Sequence, residues 1–156
     1  MLDLVWCKSR YLLNTIEEAR DYITEITEQL AQWQAFDAME MYGEIIALGK
    51  NSDTLPPDEV SDELRVKGCA SEVYIEVSKR SDKLFLRTRA NSQIVRGIVS
   101  ILKNAFDGLP ANDFLNHADE LVSLLLKKID IQKTLTPTRT NSIGTILAMI
   151  KSGLKN

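Results

Sequence analysis

Histidine and cysteine, the residues of most metal and nucleophile sites, are scarce in this chain. Its 156 residues include two cysteines, Cys7 and Cys69, and one histidine, His117. A disulfide framework is therefore excluded, apart from one long-range bridge. Zinc and iron–sulfur sites usually take three or four Cys or His ligands, so we expect no metal site. A Cys–His or Ser–His–Asp catalyst would need His117, which follows Asn116 and is interpreted as a surface residue at a helix start.

Long apolar runs are also absent. No stretch approaches the roughly 20 apolar residues of a membrane span, and residues 1–10 carry Asp3 and lack the apolar core of a secretory signal. Gly and Pro number only seven and four, and the 44% hydrophobic and 26% charged residues are typical of a soluble globular protein. We therefore expect a cytoplasmic protein without a membrane segment. Residues 1–14 are interpreted as an N-terminal extension, and residues 15–156 as a single domain.

The net charge of −3 hides an uneven distribution along the chain. Residues 12–64 carry thirteen acidic and two basic side chains, a net charge of −11, whereas residues 65–156 carry a net charge of +7. Such a separation of charge can steer a charged partner. Nucleic acid is not expected as that partner, because the chain is acidic overall and no basic cluster is interleaved with aromatic residues.

Hydrophobic periodicity predicts helices on either side of a small sheet. Alternation over residues 73–77 and 84–88, around Ser81-Asp82, predicts an antiparallel hairpin. Such a sheet needs a third strand, for which residues 64–67 are available. A short helical turn is expected over residues 111–116. Apolar residues recur at helical spacing in five other stretches, which are 16–33, 36–48, 94–105, 121–129 and 143–154. The predicted class is α+β, with an antiparallel sheet of about three strands packed against several helices.

Cys69 stands between a polar loop, residues 50–64, and the first predicted strand. If the alternation of the strand extends backward, Cys69 shares the apolar face of Val73 and Ile75. Burial raises the pKa of a thiol and makes it inert, whereas nearby cations lower it, and two basic residues precede Cys69 within four positions. A small buried hydrophobic residue is the alternative that the sequence leaves open.

Spacing excludes two kinds of thiol chemistry at Cys69. A cysteine phosphatase needs Arg six residues later, where this chain has Ile75, and a redox C-x-x-C motif would need Cys in place of Glu72. What survives is a solitary thiol without a base or a resolving partner. Such a thiol suits a covalent carrier, because thiol exchange needs only a thiolate and access.

Five separated segments follow one family pattern in the right order. One of them, Val66–Tyr74, has the sequence Val-Lys-Gly-Cys-Ala-Ser-Glu-Val-Tyr, which is similar to V-x-G-C-x-S-x-V-W with departures at Ala70, Glu72 and Tyr74. The segments are Tyr42–Lys50, Leu55–Pro57, Val66–Tyr74, Ile94–Ile98 and Leu135–Asn141. Together they resemble the SufE family, sulfur acceptors for cysteine desulfurases in iron–sulfur cluster assembly, over about residues 15–153. Further departures from the family pattern stand at Ala90-Asn91 and Thr134.

The resemblance implies a compact α+β domain like that of the IscU-type scaffolds. It implies that Cys69 accepts persulfide sulfur from a cysteine desulfurase of SufS or CsdA type and passes the sulfur to a SufBCD-type scaffold. It also implies that the protein stimulates the desulfurase. It also implies that Gly68, Ser71, Arg96 and Arg139 support the cysteine loop or dock the partner, and that a shielded thiol swings out on docking. The chain itself is expected to be no enzyme, to hold no cofactor, and to be a monomer or homodimer.

Three other functions are alternatives to the sulfur carrier. A non-covalent activator or tether of the desulfurase, with Cys69 merely packed, is the main alternative. An iron–sulfur scaffold of the same fold would need about three ligand cysteines, and only Cys69 is suitably placed. A self-contained thiol enzyme is disfavoured by the lack of a second imidazole.

Overall fold

The chain folds as helices around one antiparallel hairpin. A computed structural model describes residues 15–68, 71–128 and 137–155. At residues 128 and 137–142 it describes only the backbone. Within these ranges the elements are α1 (Ile16–Phe36), α2 (Ala38–Gly49), β1 (Val73–Arg80), β2 (Lys83–Ala90), α3 (Gln93–Phe106), α4 (Ala111–Lys128) and α5 (Pro137–Lys155). The predicted α+β class is confirmed. The proposed N-terminal extension, residues 1–14, lies outside the described residues, and the domain division stays a prediction.

The hairpin follows the predicted alternation closely. β1 and β2 pair antiparallel from Val73–Ala90 to Arg80–Lys83. Ser81 and Asp82 form the turn with φ of 52° and 61°, and two left-handed residues match the twist of the flanking strands. The predicted third strand is reduced to a single bridge between Arg65 and Tyr74, so the described residues hold a two-stranded sheet.

The hydrophobic core lies between the inner face of the hairpin and the helices. Phe106 of α3 and Phe114 of α4 are fully buried and stack edge to face, with ring centroids 4.9 Å apart. Tyr22 of α1 is also buried, and burial raises the pKa of its hydroxyl to about 12. The Asn104 side chain donates to this hydroxyl at 3.4 Å, so the buried oxygen is hydrogen bonded.

Helices α2 and α3 approach so closely that their crossing leaves no room for side chains. A Cβ at Gly97 would overlap the carbonyl oxygen of Ile45, and a Cβ at Gly49 would lie 2.5 Å from the Gly97 nitrogen. The Ser100 hydroxyl donates to the Leu48 carbonyl at 3.0 Å across the same contact. Two glycines therefore fix the position of α3, whose first residues adjoin the cysteine loop described below.

One helix corrects the prediction for residues 111–129. Instead of a short turn and a separate helix, the chain forms one helix, α4, from Ala111 to Lys128. Its apolar face is continuous through the buried residues Phe114, Ala118 and Leu121, and this packing overrides the weak helix propensity of the polar residues between them. His117 lies in the second turn of α4, 3.4 Å from Glu120, rather than at a helix start.

No helix in the described part of the chain combines the length and hydrophobicity that crossing a bilayer requires.

Candidate functional site

Two backbone hydrogen bonds close a short loop around position 69. The Val66 amide donates to the Val73 carbonyl and the Ile75 amide donates to the Leu64 carbonyl, both at 2.8 Å. Val66 and Val73 are buried, so the base of this stem is anchored in the core. Between the two paired segments lie residues 67–72, which we call the cysteine loop and which lead into β1.

The cysteine loop turns at Gly68. Its φ of +80° is a conformation that glycine adopts without strain and other residues rarely adopt. Ser71, on the other side of the loop, is half-buried and lies in a bend, so β1 begins only at Val73. The expected backward extension of the strand alternation to position 69 is therefore not present. Cys69 itself and Ala70 lie outside the described residues.

Asn91 fixes the end of the cysteine loop that enters β1. The Glu72 amide donates to the Asn91 side-chain oxygen, and the Asn91 amide donates to the Glu72 carbonyl, both at 3.1 Å. Both backbone polar groups of Glu72 are thus held by one residue at the end of β2. The sequence carries no local signal for this role, because Glu72 lies nineteen residues before Asn91.

Asp53 joins the polar loop to the same end of β2. Its carboxylate accepts from the Ala90 amide at 3.1 Å and pairs with Arg96 at 3.3 Å and Arg89 at 3.6 Å. Arg96 also donates twice to the Ala90 carbonyl, at 2.8 and 3.1 Å, and Arg89 donates to the Leu55 carbonyl at 2.7 Å. The network lies one residue away from Asn91, and it therefore supports the base of the cysteine loop.

Replacing Asp53 with alanine is expected to lower the free energy of unfolding by about 2–3 kcal/mol. The Asp53 side chain is only 18% exposed, and its loss leaves the Ala90 amide without its acceptor and two half-buried guanidinium groups without their carboxylate partner. Urea unfolding followed by circular dichroism measures the change. Asp58→Ala, in an exposed part of the same polar loop, is the control and should stay within about 0.5 kcal/mol of the parent. Equal effects of the two substitutions would contradict the role given to Asp53.

The polar loop is anchored along its length. Leu55 is fully buried, and the amides of Thr54 and Leu55 both donate to the Thr88 carbonyl. Arg87 of β2 contacts Glu59 at 2.7 Å and holds Glu76 with two bonds of 2.7 and 2.8 Å, which lower the pKa of Glu76. These contacts hold residues 54–59 of the polar loop against β2.

The other predicted site residues fall into two groups. Gly68 and Ser71 lie in the cysteine loop, and Arg96 reaches its base through Ala90. Arg139 belongs to α5, which begins at Pro137, and its side chain is outside the described part of the structure. Asp53 is a residue that the sequence reasoning missed. Among the described residues, no cluster of three or more His, Cys, Asp or Glu is placed to hold a metal ion.

One protein family matches most of this chain. A family model described as "SufE: Fe-S metabolism associated domain" matches residues 24–154, which is most of the chain. The chain belongs to the SufE family. The match spans every helix and strand described above except the first turns of α1 and the last residue of α5, so the cysteine loop and its supports lie inside the family domain.

Several relatives carry SufE-like names. A Rhizobium meliloti protein named an uncharacterized SufE-like protein is 29% identical over 136 residues, which cover 85% of this chain and 91% of the relative. A Synechocystis protein with the same kind of name is 25% identical over 116 residues, covering 74% of this chain and 70% of the relative. "SufE-like protein 1, chloroplastic/mitochondrial" of Arabidopsis thaliana is 23% identical over 140 residues, but these make up only 36% of its length.

Proposed function

We propose that this SufE-family protein is a sulfur carrier whose Cys69 accepts persulfide sulfur from a PLP-dependent cysteine desulfurase of SufS or CsdA type. In this proposal the carrier stimulates the desulfurase and delivers the sulfur to a SufBCD-type iron–sulfur scaffold. The chain acts as an acceptor rather than as an enzyme. The cytoplasm is the proposed compartment, because thiols stay reduced there.

One observation carries the proposal: position 69 falls in a short loop that a buried stem presents at the end of the hairpin. The loop contains Gly68 in a left-handed conformation and ends at the backbone clamp of Asn91. An anchored base next to the exposed residues Lys67 and Gly68 suits a thiol that must meet two different macromolecules in turn. No second cysteine lies near it in sequence, which favours transfer between proteins over internal disulfide formation.

The transfer step is a thiol exchange that needs no external oxidant or reductant. The Cys69 thiolate attacks the terminal sulfur of the persulfide on the desulfurase cysteine. A sulfur–sulfur bond forms to Cys69 as the donor's sulfur–sulfur bond breaks, and the donor cysteine leaves as a thiolate. Cys69 is then the persulfide, and the same exchange with an acceptor thiol regenerates it.

Mass spectrometry of the loaded protein tests the proposal. We expect an adduct of about 32 Da after incubation with the cognate cysteine desulfurase and L-cysteine without reductant. Alkylation and trypsin digestion separate the two thiols, because Cys7 falls in a peptide ending at Lys8 and Cys69 in the peptide from Gly68 to Lys79. The added sulfur should map to the second peptide and persist in Cys7→Ser. An unmodified protein, or sulfur only on the Cys7 peptide, would overturn the proposal.

A further inference from the structure

The outer edge of β2 is closed by hydrogen bonds. The amides that point away from β1 belong to alternate residues of β2, and each donates to an acceptor elsewhere in the fold at 2.8–3.1 Å. The acceptors are one backbone carbonyl, one hydroxyl and two carboxylates. The donors are the amides of Leu84, Leu86, Thr88 and Ala90. These amides are therefore not available to a further strand.

The outer edge of β1 is hydrogen bonded at one end only. The Val73 carbonyl and the Ile75 amide are bonded by the segment that precedes the cysteine loop. Because every second residue of a strand points its backbone groups to the same edge, Val77 and Lys79 come next on this side. Within residues 15–68, 71–128 and 137–155, no hydrogen bond reaches the outward amide or carbonyl of either residue. We call the outward backbone of Val77 and Lys79 the open edge, and an unpaired edge is a template for another strand.

Basic side chains surround the open edge. Lys79 and Arg80 end β1, and Lys83 begins β2 directly opposite Arg80. The Arg80 guanidinium lies 4.3 Å from the centre of the Phe85 ring, a contact that holds the cation and leaves its N–H groups available to an acceptor. Among the described residues none of the three cations forms an ion pair, although Asp82 lies in the turn between them. The open edge therefore carries uncompensated positive charge.

We propose that the open edge of β1 binds an extended acidic segment of another protein as an added strand. The backbone of that segment bonds the outward groups of Val77 and Lys79. Lys79 and Arg80 point to opposite faces of the sheet, so acidic side chains at successive positions of the segment meet one cation on each face. A second copy of this chain fits less well, because it would bring two basic strand ends together.

The open edge lies apart from the cysteine loop. Lys79 is seven residues from Glu72, and a strand rises about 3.3 Å per residue, so the two residues are about 23 Å apart along β1. Binding at the open edge is therefore separable from sulfur transfer, and neither proposal depends on the other.

Titration with a synthetic peptide tests the proposal. The probe has blocked ends and alternates Glu and Val over about eight residues, a length within the usual range of a strand. In isotope-labelled protein observed by NMR, we expect the largest shifts at the amides of Val77 and Lys79. Hydrogen exchange of these two amides should slow at least about fivefold at saturating peptide. A peptide of the same length that alternates Lys and Val is the control and should not bind.

Two substitutions at Lys79 separate the backbone contact from the charge. Lys79→Pro removes an amide that points away from β2, so the hydrogen bonds of the hairpin are kept. It should raise Kd for the Glu–Val peptide about tenfold. Lys79→Gln keeps the amide and removes the charge, and it should raise Kd only about threefold.

Charge reversal tests the basic side chains. Lys79→Glu/Arg80→Glu should raise Kd at least about tenfold at low salt, and the difference should shrink at high salt. The matched control is Lys50→Glu/Lys127→Glu, which makes the same change in net charge at exposed positions away from the hairpin, and its Kd should stay within about twofold of the parent. Circular dichroism verifies folding. If Lys79→Pro unfolds the protein, hydrogen exchange of the two amides in the parent decides the backbone contact.

Four results would overturn the proposal. Unchanged exchange of the Val77 and Lys79 amides at saturating peptide would show that no strand is added. Equal Kd values for Lys79→Pro and Lys79→Gln would leave the backbone without a part in binding. Tighter binding of an oligothymidine than of the Glu–Val peptide would assign the basic side chains to nucleic acid. A dimer seen by light scattering that Lys79→Pro dissociates would assign the open edge to a second copy of this chain.

Discussion

Serine in place of Cys69 is expected to abolish stimulation of the desulfurase and delivery of sulfur, while the variant remains folded. A serine hydroxyl is not deprotonated near neutral pH and cannot take sulfur by thiol exchange, which needs a thiolate. The rate of alanine formation from L-cysteine by the desulfurase, measured with and without the variant, should fall to the rate of the enzyme alone. Cluster assembly on an added scaffold should fall with it.

The same experiment separates the two candidate functions. Cys7→Ser is the control, and it should stimulate the desulfurase as the parent does, because Cys7 lies outside the family domain. If Cys69→Ser or Cys69→Ala stimulated the enzyme fully, the protein would be a non-covalent activator. The carrier mechanism would then have to be given up, although the family assignment would stand.

Alanine in place of Gly97 is expected to destabilise the protein by about 3 kcal/mol or more, enough to unfold a marginal domain. The added methyl group would overlap the backbone of Ile45, and backbone cannot move aside as a flexible side chain can. Helix α3 would be displaced, and Arg96 beside Gly97 would lose its place against Ala90 and Asp53. Urea unfolding followed by circular dichroism measures the loss.

Gly43 provides the matched control on the partner helix of the same crossing. A Cβ at Gly43 meets nothing within 4 Å, so Gly43→Ala should be neutral or stabilising by up to about 1 kcal/mol through its higher helix propensity. Similar unfolding curves for Gly97→Ala and Gly43→Ala would show that the helix crossing is looser than described.

Periodicity predicted those elements whose pattern is set by burial on one face. The hairpin and its Ser81-Asp82 turn followed from alternation, and α1, α2, α3 and α5 followed from apolar residues at helical spacing. The prediction was wrong at α4, where polar residues interrupt a helix that tertiary packing keeps continuous. The third strand was overestimated, because residues 64–66 make only two backbone bonds to β1.

The site was harder to predict than the fold. The motif around Gly68 predicts which loop is the candidate site, but the supports of that loop depend on contacts between residues far apart in sequence. Asp53 meets residues 89–96 only because the polar loop crosses the end of β2, and one carboxylate among the thirteen acidic side chains of residues 12–64 carries no local signal for that role. Asn91 likewise bonds the backbone of Glu72, which is nineteen residues away in sequence.

The pairing of Val66 with Val73 also limits how far Cys69 can move. Cys69 is the third residue after Val66, and a fully stretched chain spans at most about 3.6 Å per residue, so the tether is about 11 Å long while that pairing holds. The proposed carrier therefore would not behave as a long swinging arm. Under that proposal, donor and acceptor each bring their own cysteine almost to the surface of the protein, and they take turns there.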